Sequence, residues 1–118
     1  AGIDPKTRPS TGQDAELAGI QRVLLGEQYM TVYKAIKAEA NAAAELAVAL
    51  AKGTGVPTTM QLSKVNNGTK DVPSVLLKPV AVTADNIKST VVADGFWTVQ
   101  QILNTPELQA AGKAVGLQ

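Results

Sequence analysis

The chain of 118 residues contains no cysteine and no histidine. It therefore has no thiol nucleophile, no imidazole acid or base, and no cysteine or histidine ligands for a zinc ion. Lysine and arginine number 11 against 10 aspartate and glutamate, so the formal charge is only +1. That balance is neither the basic excess of a nucleic-acid-binding protein nor an acidic tail. These absences exclude most common catalytic constellations and give no sign of a nucleic-acid partner.

Long hydrophobic runs are also absent. The longest apolar stretch, residues 42–51, is 10 residues long and contains Glu45, whereas a membrane span needs about 20 apolar residues. We therefore predict that no helix in these residues crosses a membrane. The chain opens on Ala1 without a recognisable signal peptide, so we expect it to be mature, processed or excised from a longer protein.

The first part of the chain predicts a strand, a helix and a second strand. Leu17, Ile20 and Leu24 recur at i, i+3 and i+7, which is the spacing of one helix face. Asp14 precedes this helix, where it can act as an N-cap, and Gly26 follows its last turn. The run QYMTVYK is rich in β-branched and aromatic residues and predicts a second strand of about seven residues.

Two charged residues, Asp14 and Lys34, end these predicted strands. A helix of about 10 residues between two short strands requires parallel strands, because a tight turn cannot connect them in that way. Both residues therefore lie at carboxyl ends of adjacent strands, the edge where open α/β sheets bind ligands. Taken alone, however, an Asp before a helix is usually a cap, and a Lys after a strand is usually solvated.

The middle of the chain predicts a long alanine-rich helix over residues 35–52, ending before Gly53. Its apolar residues form a stripe at helical spacing that needs a packing partner. The stripe consists of Ile36, Ala40, Ala43, Ala47 and Leu50. Further along, Asn67 and Gly68 indicate a turn, and residues 75–77 predict a strand.

The last part of the chain predicts short elements. Pro79 indicates an edge or crossing segment rather than a central strand. A short helix is predicted between Thr83 and Gly95. A terminal helix follows, with Thr105 as its cap and Pro106 at its first position. Three strands are few for a parallel sheet, so the chain is expected to be part of a larger fold.

Several blocks of the sequence, in this order and at these separations, resemble the carboxyl-terminal third of the D-xylose-binding proteins of bacterial sugar ABC importers. The blocks are TGQDAELAGIQ, MTVYK, NNGTKDVPS, LLKPVAVT and DNIKSTVVADGF. The resemblance covers residues 7–97. Residues 98–118 have no counterpart in it.

The resemblance implies an α/β fold that is part of a type I periplasmic-binding-protein fold, incomplete here at the amino end. Such a fold has a parallel sheet flanked by helices and two lobes joined by a hinge. Residues 1–33 would be part of the carboxyl-terminal lobe, and residues 34–74 a hinge crossing and a segment packing on the amino-terminal lobe. Residues 75–97 would be the return crossing and the closing helix of the carboxyl-terminal lobe, and residues 98–118 a partly helical tail.

The resemblance also implies sugar-contacting residues at Asp14 and Lys34. Gln13 is a third candidate, and its alternative role is to orient the loop without contacting the sugar. An ionised Asp accepts hydrogen bonds from sugar hydroxyls, and a Lys ammonium donates to them. Phe96 and Trp97 are interpreted as packing or surface residues. No catalytic residue, cofactor or metal is expected, because closing two lobes on a sugar needs no nucleophile.

The implied function is that of the sugar-binding component of an ABC transporter, which captures xylose or a related aldopentose without catalysis. Its expected partners are the sugar, a membrane permease, and either the missing amino-terminal segment or a second copy covering the exposed stripe. The expected location is periplasmic or extracellular, with a lipid anchor on the full-length protein left open. Two alternatives stay open, a sugar-sensing effector domain of a transcription regulator and a receptor partner of a sensor kinase.

Overall fold

A computed structural model describes residues 2–118 of the chain. These residues divide into two compact units. The first contains the described residues up to Lys34 together with Pro79–Gln118, and the second is Ala35–Lys78. Among the described residues, no helix has the length and hydropathy of a membrane span.

The first unit begins with the predicted strand, helix and strand. Strand β1 is Thr11–Gln13, helix α1 is Leu17–Leu25 and strand β2 is Met30–Tyr33. The two strands pair in parallel, with Gln13 opposite Val32. The predicted parallel arrangement is confirmed, although β2 has four residues rather than about seven. The chain therefore leaves both strands at the same edge of the sheet.

The predicted core face of helix α1 is largely confirmed. Ile20 and Leu24 are buried, whereas Leu17 is half-buried. Gly26 follows the last turn in a left-handed conformation, with φ 76°, as its position predicts. The apolar spacing thus identified the side of the helix that packs on the rest of the unit.

The predicted capping role of Asp14 is wrong. The residue at the N-cap position is Glu16, and its side chain makes no capping hydrogen bond. Asp14 and Ala15 both have positive φ angles, 73° and 48°. Because two residues in the left-handed region separate the strand from the helix, the helix begins only at Leu17 and the Asp14 carboxylate is not available to its amide groups.

Strand β5, Val80–Val82, completes the sheet of the first unit. It pairs antiparallel with β2, so the strand order is β1-β2-β5. The predicted strand at residues 75–77 is wrong. The strand in this region comes earlier, as β4, Asp71–Ser74. It pairs with β3, Ser63–Asn66, in the second unit. The paired part of that hairpin ends at residue 74, and residues 75–77 lie beyond it.

The turn between β3 and β4 is the one that Asn67 and Gly68 predict. The side-chain oxygen of Asn67 accepts hydrogen bonds from the backbone amides of Thr69 and Lys70, each at 3.0 Å. Side-chain acceptors of this kind favour turns over continued strands. The turn sets the register of the hairpin, in which Ser74 opposite Ser63 is the last pair.

Helical structure after β5 is shorter than predicted between Thr83 and Gly95. Only Lys88–Val92 is helical, and it forms a π-helical turn in which the Ala93 amide donates to the Lys88 carbonyl at 3.0 Å. The hydroxyl of Thr90 donates to the Asn86 carbonyl at 2.6 Å. A Thr hydroxyl bonded to the carbonyl four residues back competes with the backbone for that carbonyl.

Two helices close the chain. Helix α3, Val99–Ile102, was not predicted because it is a single turn, although Thr98 and Gln101 form a capping box at its start. Helix α4, Pro106–Ala114, has Pro106 at its first position, and the Thr105 hydroxyl accepts from the Leu108 amide at 3.3 Å. The predicted terminal helix and its cap are therefore confirmed.

The core of the first unit combines side chains from both ends of the chain. Two of its members, Ile102 and Leu117, come from the last 21 residues, 98–118, for which the sequence resemblance offered no counterpart. The largest fully buried apolar side chains are Ile20, Val23, Val82, Ile87, Val91, Ile102 and Leu117. Burying a side chain of this size contributes about 1.5–3 kcal/mol. The carboxyl-terminal residues therefore help to hold the sheet on which the candidate site lies.

The second unit contains the predicted long helix, α2, Ile36–Ala51. Its predicted apolar stripe is exposed, and the end residues Ile36 and Leu50 are 57% and 59% exposed. Ala49 is buried, and Ala42 and Leu46 on the same side are half-buried. The helix therefore uses a different face within its own unit, and the stripe is left at the surface.

A pair of helical glycines tests the packing of the first unit. A Cβ atom at Gly112 in α4 would lie 2.6 Å from a Leu103 methyl group and 3.0 Å from the Leu117 carbonyl oxygen, whereas a Cβ at Gly19 in α1 would meet nothing closer than 4.0 Å. Gly112→Ala is expected to lower the free energy of unfolding by about 1–3 kcal/mol through overpacking. Gly19→Ala is expected to raise it by about 0.5–1 kcal/mol. Denaturant unfolding of both variants checks this, and equal midpoints would contradict the packing described here.

Candidate functional site

Asp14 and Lys34 follow strands β1 and β2 and form an ion pair at the carboxyl edge of the sheet. The Lys34 Nζ atom lies 2.5 Å from Oδ1 of Asp14. The side chains of Lys34 and Asp14 are 41% and 61% exposed, so solvent screens their attraction and the pair contributes at most about 1 kcal/mol to folding. The structure thus brings together the two residues that the sequence placed at adjacent strand ends.

The backbone that carries Asp14 has an unusual conformation. Asp14 and Ala15 are the non-glycine residues with positive φ among those described. Asp tolerates the left-handed region, because its short polar side chain can form local hydrogen bonds, but Ala has no such compensation. A conformation of this kind costs on the order of 1–3 kcal/mol and persists only where neighbouring groups hold it. The turn therefore requires restraint from outside its own sequence.

Two hydrogen bonds hold Ala15, whose residue surface is fully buried. Its amide donates to the hydroxyl of Thr31 in β2 at 3.3 Å. Its carbonyl accepts from the indole Nε1 of Trp97 at 2.8 Å. Both backbone polar groups of the buried Ala15 are thus satisfied by side chains from elsewhere in the first unit.

The end of strand β2 is held by residues 94–96, which directly precede Trp97. The hydroxyl of Tyr33 donates to the carboxylate of Asp94. The Tyr33 ring lies 5.1 Å from the Phe96 ring, which lies 5.3 Å from the Trp97 ring. Burial, then the hydrogen bond to Asp94 and the negative charge of that group, raise the pKa of Tyr33 to about 12. Residues 94–97 therefore contact the ends of both strands that present the ion pair.

Phe96 and Trp97 were predicted to be packing or surface residues, and both are half-buried. What sequence reasoning missed is the hydrogen bond from Trp97 to the turn at Ala15, because the two residues are 82 positions apart. The available signal was compositional. Trp97 is the single tryptophan of the chain, and a buried indole N–H usually finds a hydrogen-bond acceptor.

Gln13, the third candidate, is not part of the ion pair. It is exposed and lies in the β1–β2 ladder opposite Val32. Successive residues of a strand point to opposite faces of the sheet. A role for Gln13 in ligand contact therefore stays a prediction.

Two clefts of the chain lie away from the ion pair. A cleft of about 530 Å³ in the first unit is lined by residues that include Pro5, Gln28 and Tyr29. Another, of about 430 Å³, lies in the second unit between helix α2 and residues 73–77. Neither cleft is lined by Gln13, Asp14 or Lys34. Within residues 2–118 no cluster of acidic side chains is suited to hold a metal ion. The site is an open edge that carries a paired acceptor and donor.

Comparison with known proteins shows strong similarity to sugar-binding proteins. The chain is 55% identical over 86 residues to the D-xylose-binding periplasmic protein of Escherichia coli (strain K12), a match covering 73% of this chain and 25% of that protein. It is 49% identical over 92 residues to the D-xylose-binding periplasmic protein of Haemophilus influenzae, covering 78% of this chain and 27% of that protein. The chain is homologous to the carboxyl-terminal part of the periplasmic sugar-binding proteins. No family model matches it.

Structural comparison agrees with this relationship. A carbohydrate transporter solute-binding protein from Chloroflexus aurantiacus, in complex with D-glucose, matches with a TM-score of 0.69 and 35% sequence identity, over 77% of this chain and 26% of that one. The predicted fold class, part of a periplasmic-binding-protein fold, is therefore confirmed. The chain spans about a quarter of the length of the curated relatives it matches.

The contact between Tyr33 and Asp94 can be tested by titration. Because the folded pKa of Tyr33, about 12, lies above the ordinary value of 10.0, the contribution of the buried, protonated Tyr33 to folding is full below pH 10 and is lost as the pH rises towards 12. Asp94→Asn removes the charge and should lower the pKa of Tyr33, while burial keeps it above the ordinary value.

The measurement is the ultraviolet absorbance of tyrosinate against pH. Tyr33→Phe identifies the transition that belongs to this side chain, and circular dichroism confirms that the chain is still folded at each pH. An unchanged transition in Asp94→Asn would show that Asp94 does not hold the Tyr33 hydroxyl.

Proposed function

We propose that this chain is the carboxyl-terminal part of the sugar-binding component of an ABC importer, and that the whole protein binds xylose or a related aldopentose in the periplasm and delivers it to a membrane permease. The observation that carries the proposal is the Asp14–Lys34 pair at the carboxyl edge of a sheet whose chain is homologous to sugar-binding proteins. The proposed activity is binding without catalysis.

The chemistry of the pair suits a neutral sugar. Each hydroxyl of a pyranose is both a donor and an acceptor, and an ionised carboxylate can accept from two adjacent hydroxyls. The Lys34 contact occupies Oδ1 of Asp14, and a carboxylate offers about four lone-pair sites, so acceptor capacity is left for a ligand. A Lys ammonium donates to other hydroxyls or to the ring oxygen. Charge-assisted bonds of this kind contribute about 1.5–3 kcal/mol each.

The ion pair also orients the two groups before a ligand arrives. Each side chain limits the conformational freedom of the other, which lowers the entropy that binding must remove. Exposure of 41% and 61% keeps the pair accessible to a ligand. Two such contacts do not make a complete site, so the proposal assigns further contacts to residues of the whole protein outside this chain.

The proposed lobe assignment follows the earlier expectation. Residues 1–33 and 75–97 belong to the carboxyl-terminal lobe, residues 34–74 cross the hinge and pack on the amino-terminal lobe, and residues 98–118 form the tail. The boundaries of the compact units, after Lys34 and after Lys78, support crossings near these positions. In the proposed whole protein, the amino-terminal segment covers the exposed stripe of helix α2.

Glucose is a second candidate ligand. The Chloroflexus aurantiacus protein, which is 35% identical to this chain over the matched region, holds D-glucose. Glucose and xylose share the ring hydroxyls that an Asp and a Lys can contact, and glucose adds a hydroxymethyl group. Titration of the full-length protein with both sugars distinguishes the candidates, and no binding of either sugar would contradict the proposal.

Asp14→Ala in the full-length receptor tests the acceptor. Removing a charged acceptor from a closed site should weaken sugar binding by about 2 kcal/mol, roughly thirtyfold, with little change in the fold. Calorimetric titration measures the dissociation constant. Asp4→Ala is the matched control, because Asp4 is an exposed acid of the same unit, and it should leave the affinity unchanged. Equal affinities of the two variants would remove Asp14 from the site.

Lys34→Met tests the donor. Met keeps much of the apolar stem but cannot donate, so sugar affinity should fall about tenfold while the melting temperature without sugar stays close to that of the parent. Lys37→Met changes an exposed lysine of helix α2 and serves as the control. A loss of thermal stability without a loss of affinity would indicate that Lys34 has a structural role instead.

A further inference from the structure

The turn at Asp14 and Ala15 depends on a residue far away in the sequence. The indole of Trp97 donates to the Ala15 carbonyl at 2.8 Å, and Ala15 itself is fully buried with φ 48°. A β-carbon in this region of backbone space is disfavoured, so the turn relaxes unless something holds it. The chain places its single tryptophan against this peptide unit.

The path of the chain before Trp97 supports such a role. Gly95 adopts φ 71°, a conformation that favours glycine. The amides of Phe96 and Trp97 both donate to the Val91 carbonyl, at 2.9 and 3.1 Å. The backbone of this segment is therefore fixed on the π-helical turn. The centroids of the Trp97 and Phe96 rings are 5.3 Å apart. A donor held in this way restrains its acceptor.

The Ala15 carbonyl lies one residue after Asp14. A hydrogen bond that restrains this carbonyl therefore also restrains the backbone of Asp14. If the indole bond is lost, the 14–15 turn can rotate towards ordinary backbone angles, and the Asp14 carboxylate moves away from Lys34. The Thr31 hydroxyl restrains the amide side of Ala15 at 3.3 Å, and Trp97 restrains the carbonyl side. The two bonds together hold both backbone polar groups of Ala15.

We infer that Trp97 is a positioning residue for Asp14, which holds the left-handed turn so that the carboxylate is presented at the edge of the sheet for a sugar hydroxyl. The inference rests on the proposed sugar contact of Asp14. It assigns a binding role to a residue that touches no sugar and acts only through Ala15.

Trp97→Phe in the full-length receptor removes the donor and keeps an aromatic ring. It should weaken sugar binding about three- to tenfold, in the range expected for one lost hydrogen bond. Because Trp97 acts through Asp14, this loss should disappear when Asp14→Ala is already present, so the two changes should be strongly non-additive. A residue with a merely structural role would weaken binding by the same factor in both backgrounds.

Phe96→Leu is the matched control. It alters the adjacent ring but leaves the Trp97–Ala15 bond in place, so any change in affinity should be the same with and without Asp14. Should Trp97→Phe fail to fold, a benzothienylalanine at position 97 keeps the bicyclic shape and lacks only the N–H donor.

Amide hydrogen exchange tests the restraint independently of any sugar. The Ala15 amide should exchange about tenfold faster in Trp97→Phe, because the turn opens locally, while amides of the β1–β2 ladder keep their protection. Unchanged exchange at Ala15 would overturn the inference. So would an affinity equal to that of the parent, or a loss that persists in the Asp14→Ala background.

The failure of the proposed function would look different. If Asp14→Ala alone leaves the affinity unchanged, the proposed sugar contact is overturned, and the inference falls with it. If Asp14→Ala weakens binding but Trp97→Phe does so additively, the sugar contact stands and only the role of Trp97 is overturned.

Discussion

Parallel pairing of two very short strands governs the geometry of this chain. Strands β1 and β2 share three residue pairs, and because both run in the same direction, the residues that follow them meet at one edge of the sheet. An acid after the first strand and a lysine after the second therefore form an ion pair. Strand β5 extends this sheet, the π-helical turn packs beside β5, and the last two helices pack on α1. Three short strands alone cannot bury enough apolar surface.

The predictable part of the fold was the part set by neighbouring residues. Apolar spacing identified helices α1 and α2, turn chemistry identified Asn67 and Gly68, and the Thr105–Pro106 pair marked the start of α4. The parallel strands and the position of Asp14 followed from connection length alone. Helical spacing, turn chemistry and capping act within a few positions along the chain, where periodicity and capping rules apply directly.

The failures have two physical origins, hydrogen bonds to distant partners and local bonds that the sequence patterns do not reveal. Asp14 has the residue type of a helix cap, but its turn is held in the left-handed region by Thr31 and Trp97, 16 and 82 positions from Ala15. The strand expected at residues 75–77 does not form, and the pairing of β3 with β4 ends at residue 74. The helix expected between Thr83 and Gly95 is limited to a π-helical turn, and the Thr90 hydroxyl donates to the Asn86 carbonyl four positions back. The hydrogen bonds of Ala15 to Thr31 and Trp97 cannot be predicted from any short window of sequence.

The contact of Trp97 has an optical consequence. Indole emission responds to the polarity and hydrogen bonding around the ring, and within this chain all of it arises at position 97. The indole donates a hydrogen bond to the carbonyl of Ala15, the residue after Asp14. Its emission spectrum therefore reports on the turn that carries the Asp14 carboxylate. The chain thus contains an intrinsic fluorescent reporter of its candidate site, which needs no dye and no engineered label.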